Sequence, residues 1–219
     1  MPLRAVLFDA GNTLLYVNRE EIRRVLARRG HALDPGRLVE AELKIRQRLD
    51  DPELVARSTD GSRWDRLYGG ILEELGMPPE ALEDLRAYHE RRNLWDTVPA
   101  EVPRVLERLR GRYRLGVISN SNGTVAGVLA RLGLAAYFET VVDSHLEGVE
   151  KPDPRIFRIA LERMGLAPAE AIYVGDIYHI DVVGARAAGM DAILLDPGGL
   201  HLDKDCRRIA DLAGLEEVL

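Results

Sequence analysis

The strongest constraint on this chain is a set of five short, unbroken apolar runs, each stopped by a polar residue or a glycine. They are Ala5–Phe8 before Asp9, Leu115–Ile118 before Ser119, Thr140–Val142 before Asp143, Ala171–Val174 before Gly175-Asp176, and Ala192–Leu195 before Asp196. Runs of this length without polar alternation read as strands buried on both faces, as in parallel sheets. Helical patterns with clear stop signals lie between them. One spans Gly123 to Leu132 and ends at Gly133; a second starts at Pro154 behind the cap residue Asp153 and closes near Gly165; a third runs from Asp181 to Ala188 before Gly189. Strand–helix alternation from residue 114 onward predicts right-handed crossovers and a doubly wound α/β sheet.

Residues 17–96 break this rhythm and read as helices only. Ile22, Val25 and Leu26 form one apolar stripe, and Leu38, Ala41, Ile45 and Leu49 a second. Trp64, Leu67, Tyr68, Ile71 and Leu75 form a third, and Leu82, Leu85 and Tyr88 a fourth, with Pro78-Pro79 between the last two. The expected division is therefore a sheet-based core of residues 1–16 and 97–219 with a helical bundle inserted at 17–96. A chain of 219 residues that is 46% hydrophobic is long enough for such a core and a subdomain.

Composition narrows the function classes. A formal net charge of -6 argues against nucleic acid, which calls for a basic footprint. The lone Cys206 excludes an intrachain disulfide and a cysteine-based zinc site. The first apolar run is too short for a signal core or a membrane span, so a soluble cytoplasmic protein is expected. Lysine occurs only at Lys44, Lys151 and Lys204, which makes each one easy to weigh.

Ligands of such sheets bind outside the carboxyl ends of the strands. The polar residues expected there are Asp9, Ser119, Asn120, Asp176 and Asp181, with Lys151 in the loop before the Pro154 helix. Three carboxylates in one place repel each other, and a phosphate worsens the conflict. A hard divalent cation such as magnesium resolves it with oxygen ligands. A lysine neutralises remaining charge, and a serine hydroxyl donates to a phosphate oxygen.

Four segments carry a family resemblance. Phe8-Asp9-Ala10-Gly11-Asn12-Thr13-Leu14 resembles the first motif of the haloacid dehalogenase superfamily, and Val117-Ile118-Ser119-Asn120 the second. Lys151-Pro152-Asp153-Pro154 with Ile156-Phe157 resembles the third; Gly175-Asp176, Asp181 and the run Gly184–Gly189 resemble the fourth. Order, spacing and strand-end placement agree along the whole chain, and the insert falls where that superfamily places a helical cap. The resemblance implies a Rossmann-like core and a magnesium-dependent hydrolase acting on a small phosphorylated metabolite. It implies that Asp9 is the covalent nucleophile, forming an aspartyl-phosphate that water hydrolyses. It implies that Ser119 and Asn120 hold phosphate oxygens, that Thr13 supports the substrate loop, and that Lys151 pairs with both phosphate and Asp9. The metal would be held by Asp9, the backbone carbonyl of Gly11 and Asp176, with Asp181 helping through water.

One position departs from the phosphatase pattern. Phosphatases of the superfamily place a second aspartate two residues after the nucleophile as general acid and base, and here that residue is Gly11. Positioned acid–base catalysis contributes roughly 10²–10⁴-fold, so alkyl phosphates with basic leaving groups should turn over poorly. Two other readings follow: a carbon–halogen hydrolase, which needs neither that acid nor a metal, and a non-catalytic member that binds phosphate or a partner.

The remaining polar residues have plainer readings. Asp153 reads as a helix cap, Asp143 and Asp196 as structural strand ends, and Lys44 as a solvated helix-face charge. Trp64 and Tyr68 read as interior of the helical insert; cap arginines such as Arg63 could meet substrate carboxylates, though most must be solvated. His31, His89, His145, His179 and His201 show no ligand spacing, though His179 lies inside the fourth motif.

Overall fold

The computed structural model describes residues 2–219. Their contacts group them into two compact units, one of residues up to Tyr16 with Val98–Leu219 and the other Val17–Thr97.

The first unit is built on a six-stranded parallel sheet. Its strands are β1 (Ala5–Phe8), β4 (Arg114–Ser119), β5 (Thr140–Asp143), β6 (Ala171–Gly175), β7 (Asp191–Leu195) and β8 (Arg207–Ile209), in the order β5-β4-β1-β6-β7-β8. The numbers β2 (Tyr16–Val17) and β3 (Trp95–Thr97) belong to a two-stranded ribbon. All four residues of β1 are fully buried, as an unbroken apolar run in a central parallel strand requires. Phe8 pairs with Val117 on β4 and with Val174 on β6. That register brings Asp9, Ser119 and Gly175-Asp176 to one end of three adjacent strands, where the order reverses around β1.

Helices connect these strands. Val125–Arg131 and Pro154–Met164 follow β4 and β5, and the second starts with Pro154 behind Asp153, whose carboxylate accepts from the Arg155 N–H. Gly165 closes it in the left-handed conformation. Ile156, Phe157, Ala160 and Leu161 pack with Leu7, Ile118, Tyr173 and Leu194 in one continuous core.

The second unit has five helices, Arg19–Ala27, Pro35–Leu49, Pro52–Ala56, Asp60–Glu74 and Glu80–Arg92. Side-chain caps fix four of their starts: Asn18, Asp34, Asp51 and Thr59 each accept a backbone N–H three residues on. Their apolar stripes meet in a separate core that includes Ile22, Leu26, Leu38, Ile45, Tyr68, Ile71 and Leu85.

The structure departs from the sequence reading in three places. Residues 17–96 are not helical throughout, because Trp95 and Asp96 lie in the ribbon strand β3, too short to display a two-residue period. The edge strand β8 was not expected, since only Ile209 of its three residues is buried and Arg207-Arg208 hide the pattern. The expected helix from Asp181 begins as a π-helical turn, Tyr178–Val182, and becomes α-helical over Val183–Ala187. No helix among the described residues is long and apolar enough to cross a membrane.

Candidate active site at the strand ends

Asp9 leaves the carboxyl end of β1 nearly buried, at 7% exposure. The loop behind it turns back at once. The N–H groups of Leu14 and Leu15 both donate to the Ala10 carbonyl, and Asn12 takes a positive φ of 54°. Asparagine tolerates that left-handed geometry. Gly11 itself is not among the residues of positive φ.

Lys151 is the centre of the site. Its ammonium, 2% exposed, donates to Asp9 Oδ1 at 2.6 Å, to Asp181 Oδ1 at 2.7 Å and to the Tyr173 hydroxyl at 2.8 Å. An ammonium has three donors, so all three are engaged within the protein. The expected direct pairing of Lys151 with phosphate would have to displace one of them. Burial works against the charged lysine, but Asp181, Asp9 and Tyr173 outweigh it and hold its pKa well above the ordinary value. Burial dominates at Asp9 instead, raising its carboxyl to about 6 against the pull of Lys151, with Asp181 adding to the rise. One ammonium is shared between two carboxylates, so it cannot offset the burial of both.

Asp181 is 1% exposed and fully committed. Its Oδ1 takes Lys151, and its Oδ2 accepts from the N–H groups of Asp176 at 3.0 Å and Ile177 at 2.9 Å. Gly175 makes this possible, because a Cβ there would lie 2.3 Å from the Asp181 Cγ. The π-helical turn aims this carboxylate back under the strand end, a use typical of π-turns at functional sites. Asp181, expected to help the metal through water, is engaged here as counter-ion to Lys151 and anchor of the Asp176 loop. Asp176, 9% exposed, follows β6 directly.

The second motif also differs in detail from expectation. The Asn120 side chain is tied to Lys151's backbone in both directions, accepting from its N–H at 2.8 Å and donating to its carbonyl at 3.0 Å. It locks the loop that carries Lys151, which leaves the Ser119 hydroxyl as the side-chain donor of this motif. That hydroxyl, nearly buried, makes only a 3.3 Å contact to the Asn120 carbonyl. Thr13 is fully buried with its hydroxyl unpartnered.

Tyr173 is the participant that sequence reading missed. Its ring stands edge-on to Phe157, with centroids 5.0 Å apart, and its hydroxyl donates to the Ile118 carbonyl at 2.9 Å. The signal was present: a tyrosine inside an otherwise aliphatic buried strand needs a partner for its hydroxyl.

The structural readings of other residues are matched by their contacts. Asp143 accepts from the N–H groups of Gly123 and His145, and Asp196 from those of Leu200 and His201. Lys44 pairs with Glu74 on the surface. Arg63 is not among the solvated cap arginines: it is 6% exposed and donates to the Ser58 carbonyl. Within the second unit Trp64, Tyr68, His89 and Trp95 form a closed set of ring contacts between 4.5 and 6.0 Å. Burial lowers the His89 imidazole to about 4, which keeps it neutral. Tyr68 Oη and the indole N–H groups of Trp64 and Trp95 are buried without partners.

The chain matches the haloacid dehalogenase-like hydrolase family over residues 3–189. It belongs to that family. It is 31% identical to the glyceraldehyde 3-phosphate phosphatase of Methanopyrus kandleri, over 98% of this chain and 92% of that one. A 2-haloacid dehalogenase from Pseudomonas syringae is 30% identical, with a TM-score of 0.62 over 99% and 97% of the two chains. The HAD-hydrolase YfnB from Bacillus subtilis, whose structure is bound to magnesium, superposes with a TM-score of 0.77 over 100% and 99% of the chains at 20% identity, a likeness of fold. The chain is thus a hydrolase of this family, with phosphatase and dehalogenase relatives at nearly equal identity.

Proposed function

We propose that this hydrolase is a phosphatase that acts on a small phosphorylated metabolite through an aspartyl-phosphate on Asp9. One observation carries the choice over carbon–halogen hydrolysis: Asp9 at the end of β1 and Asp176 at the end of the adjacent β6 bring two nearly buried carboxylates to one end of the sheet. Two hard oxygen donors so placed favour a bound divalent cation, and a dehalogenase has no use for one.

The residues present fit magnesium. Among the described residues no group of three or more His, Cys, Asp or Glu side chains is arranged to hold a metal, but magnesium needs only one or two protein carboxylates beside water and phosphate oxygens. Asp9, Asp176 and the Gly11 carbonyl form such a hard oxygen set, and Asp181 supports it by holding the Asp176 N–H. Bound there, the ion would neutralise charge between the carboxylates and a phosphate.

In this reading Asp9 attacks phosphorus, the ester oxygen leaves with the metabolite, and water then cleaves the acyl-phosphate. Lys151 holds Asp9 in line. Ser119 supplies a hydroxyl to a phosphate oxygen, and the fully buried Thr13 supports the loop behind Asp9. Residues 17–96 act as the helical cap that carries specificity. The relative's substrate, glyceraldehyde 3-phosphate, sets the size class of metabolite to try first. The cytoplasmic setting stays part of the proposal, in keeping with the free thiol of Cys206.

A panel of phosphate esters and 2-haloacids, assayed with magnesium and with EDTA, tests the proposal. The expected result is magnesium-dependent phosphate release, lost in Asp176→Asn. Metal-independent halide release with no phosphatase activity would replace it with the dehalogenase reading.

A further inference from the structure

We propose that Tyr173 is a positioning residue for the reaction, which holds the Lys151 ammonium in the orientation that aims Asp9. The hydroxyl is placed for this and little else. It accepts the third Lys151 donor at 2.8 Å and passes its own proton to the Ile118 carbonyl at 2.9 Å. Its ring rises from β6, its hydroxyl reaches a carbonyl of β4, and β1 with Asp9 runs between those two strands. The contact therefore ties together the three strands whose ends form the site.

The alternatives for the lysine explain why a third acceptor matters. Lys151 sits on a long flexible stem, and two carboxylates alone fix two of its three donors. With the third donor unpaired in a closed site, the ammonium can rotate toward Asp181 and loosen its hold on Asp9. A substrate phosphate could also draw it away. The Tyr173 hydroxyl closes both routes, because a saturated ammonium has nothing to gain by moving. The fully buried position excludes water as a substitute acceptor.

This inference rests in part on the phosphatase reading, so the test has an arm that needs no substrate. The chain has only three lysines, and labelling their Nζ with ¹⁵N gives three ammonium signals. In the parent protein the Lys151 protons should exchange with water at least about tenfold more slowly than those of the exposed Lys44, as hydrogen-bonded buried donors do. Tyr173→Phe keeps the ring and removes only the hydroxyl. It should speed that exchange and lower kcat by about 10–100-fold, the usual range for residues that orient an active-site group. KM should stay within about twofold, since the lost contact touches no substrate. Phe157→Leu is the control: it thins the packing on the same ring but leaves the hydroxyl, so melting temperature should fall while the ammonium signal persists. Rapid exchange at Lys151 in the parent protein would overturn the proposal even if Tyr173→Phe did not fold. An unchanged ammonium signal and unchanged kcat in a folded Tyr173→Phe would overturn it too. If no phosphate ester is cleaved but the signal behaves as described, the positioning stands and the phosphatase reading falls.

Discussion

Two fully buried tyrosines, one in each unit, have opposite polar fates. Tyr173 lies in the sheet core with its hydroxyl paired to Lys151 and to Ile118. Tyr68 lies among the helices of the second unit with its hydroxyl unpartnered, beside two unpartnered indole N–H groups. The difference extends to the charges: in the core one buried lysine is bonded to two buried carboxylates, whereas the second unit's buried Glu42 meets the part-exposed Arg19 and its Lys44–Glu74 pair is on the surface. Buried charge is tolerated only when paired and hydrogen-bonded, and in the core both sides of the pairing are buried. The second unit is held mainly by apolar stripes and aromatic contacts.

The largest expected contrast comes from removing a lysine from each unit. Lys151→Met leaves Asp9 and Asp181 buried without their cation, which should cost about 3–5 kcal/mol and abolish turnover. Lys44→Met should leave both stability and activity within error. Urea unfolding with a matched assay checks both, and a mild effect at Lys151 would show that the network is wetter than its geometry indicates.

A second contrast uses Gly11, where the first motif departs from the phosphatase pattern of the superfamily it resembles. Gly11 is free of the left-handed φ that Asn12 carries, so its backbone does not bar an aspartate. Gly11→Asp should raise alkyl phosphate hydrolysis by up to roughly 10²-fold, the lower end of the acid–base range, and leave aryl and acyl phosphates little changed. A folded variant with no such selectivity would mean that the leaving group is protonated from elsewhere.

The third prediction concerns pH. Folding raises the Asp9 carboxyl from 3.8 to about 6, so the folded state favours its neutral form. That contribution is complete below about pH 4 and is lost as pH rises through 6. In metal-free buffer Asp9→Asn should therefore match the parent at pH 4 and exceed it above pH 6, by on the order of 1–3 kcal/mol. Equal melting curves at both pH values would contradict the burial argument.

The smallest effect is expected in the second unit. Tyr68→Phe removes a buried hydroxyl that has no partner, so it should be neutral or stabilising by up to about 1 kcal/mol. The same change at Tyr173 removes two hydrogen bonds and should destabilise. If Tyr68→Phe proved the more harmful of the two, the comparison between the units would be broken.

Much of this was legible in the sequence because buried parallel strands leave continuous apolar runs and their polar ends mark the site. Asp9, Ser119 and Asp176 were placed by that logic, and Lys151 by its loop before the Pro154 helix. The direction of side chains was not legible. Asp181 and Asn120 are polar residues at motif positions, and spacing alone cannot tell a ligand from a residue that saturates its neighbour. The bonds of Asp181 to Lys151 and to two backbone N–H groups, and those of Asn120 to the Lys151 backbone, show what these side chains hold. Edge strand β8 and the ribbon were hidden for a simpler reason, since two or three residues carry no period. Tyr173 was hidden because one hydroxyl on an aromatic ring reads as packing until its partners are seen.

In the proposed reaction Asp9 carries the phosphoryl group covalently. Brief reaction with an aryl phosphate and magnesium, quenching, borohydride reduction and peptide mass spectrometry tests it most directly. An aspartyl-phosphate on Asp9 is reduced to homoserine at that position, and the account predicts this mark at Asp9 alone, absent in Asp9→Asn and without magnesium. Steady phosphate release with no mark at Asp9, or a mark on another carboxylate, would contradict it.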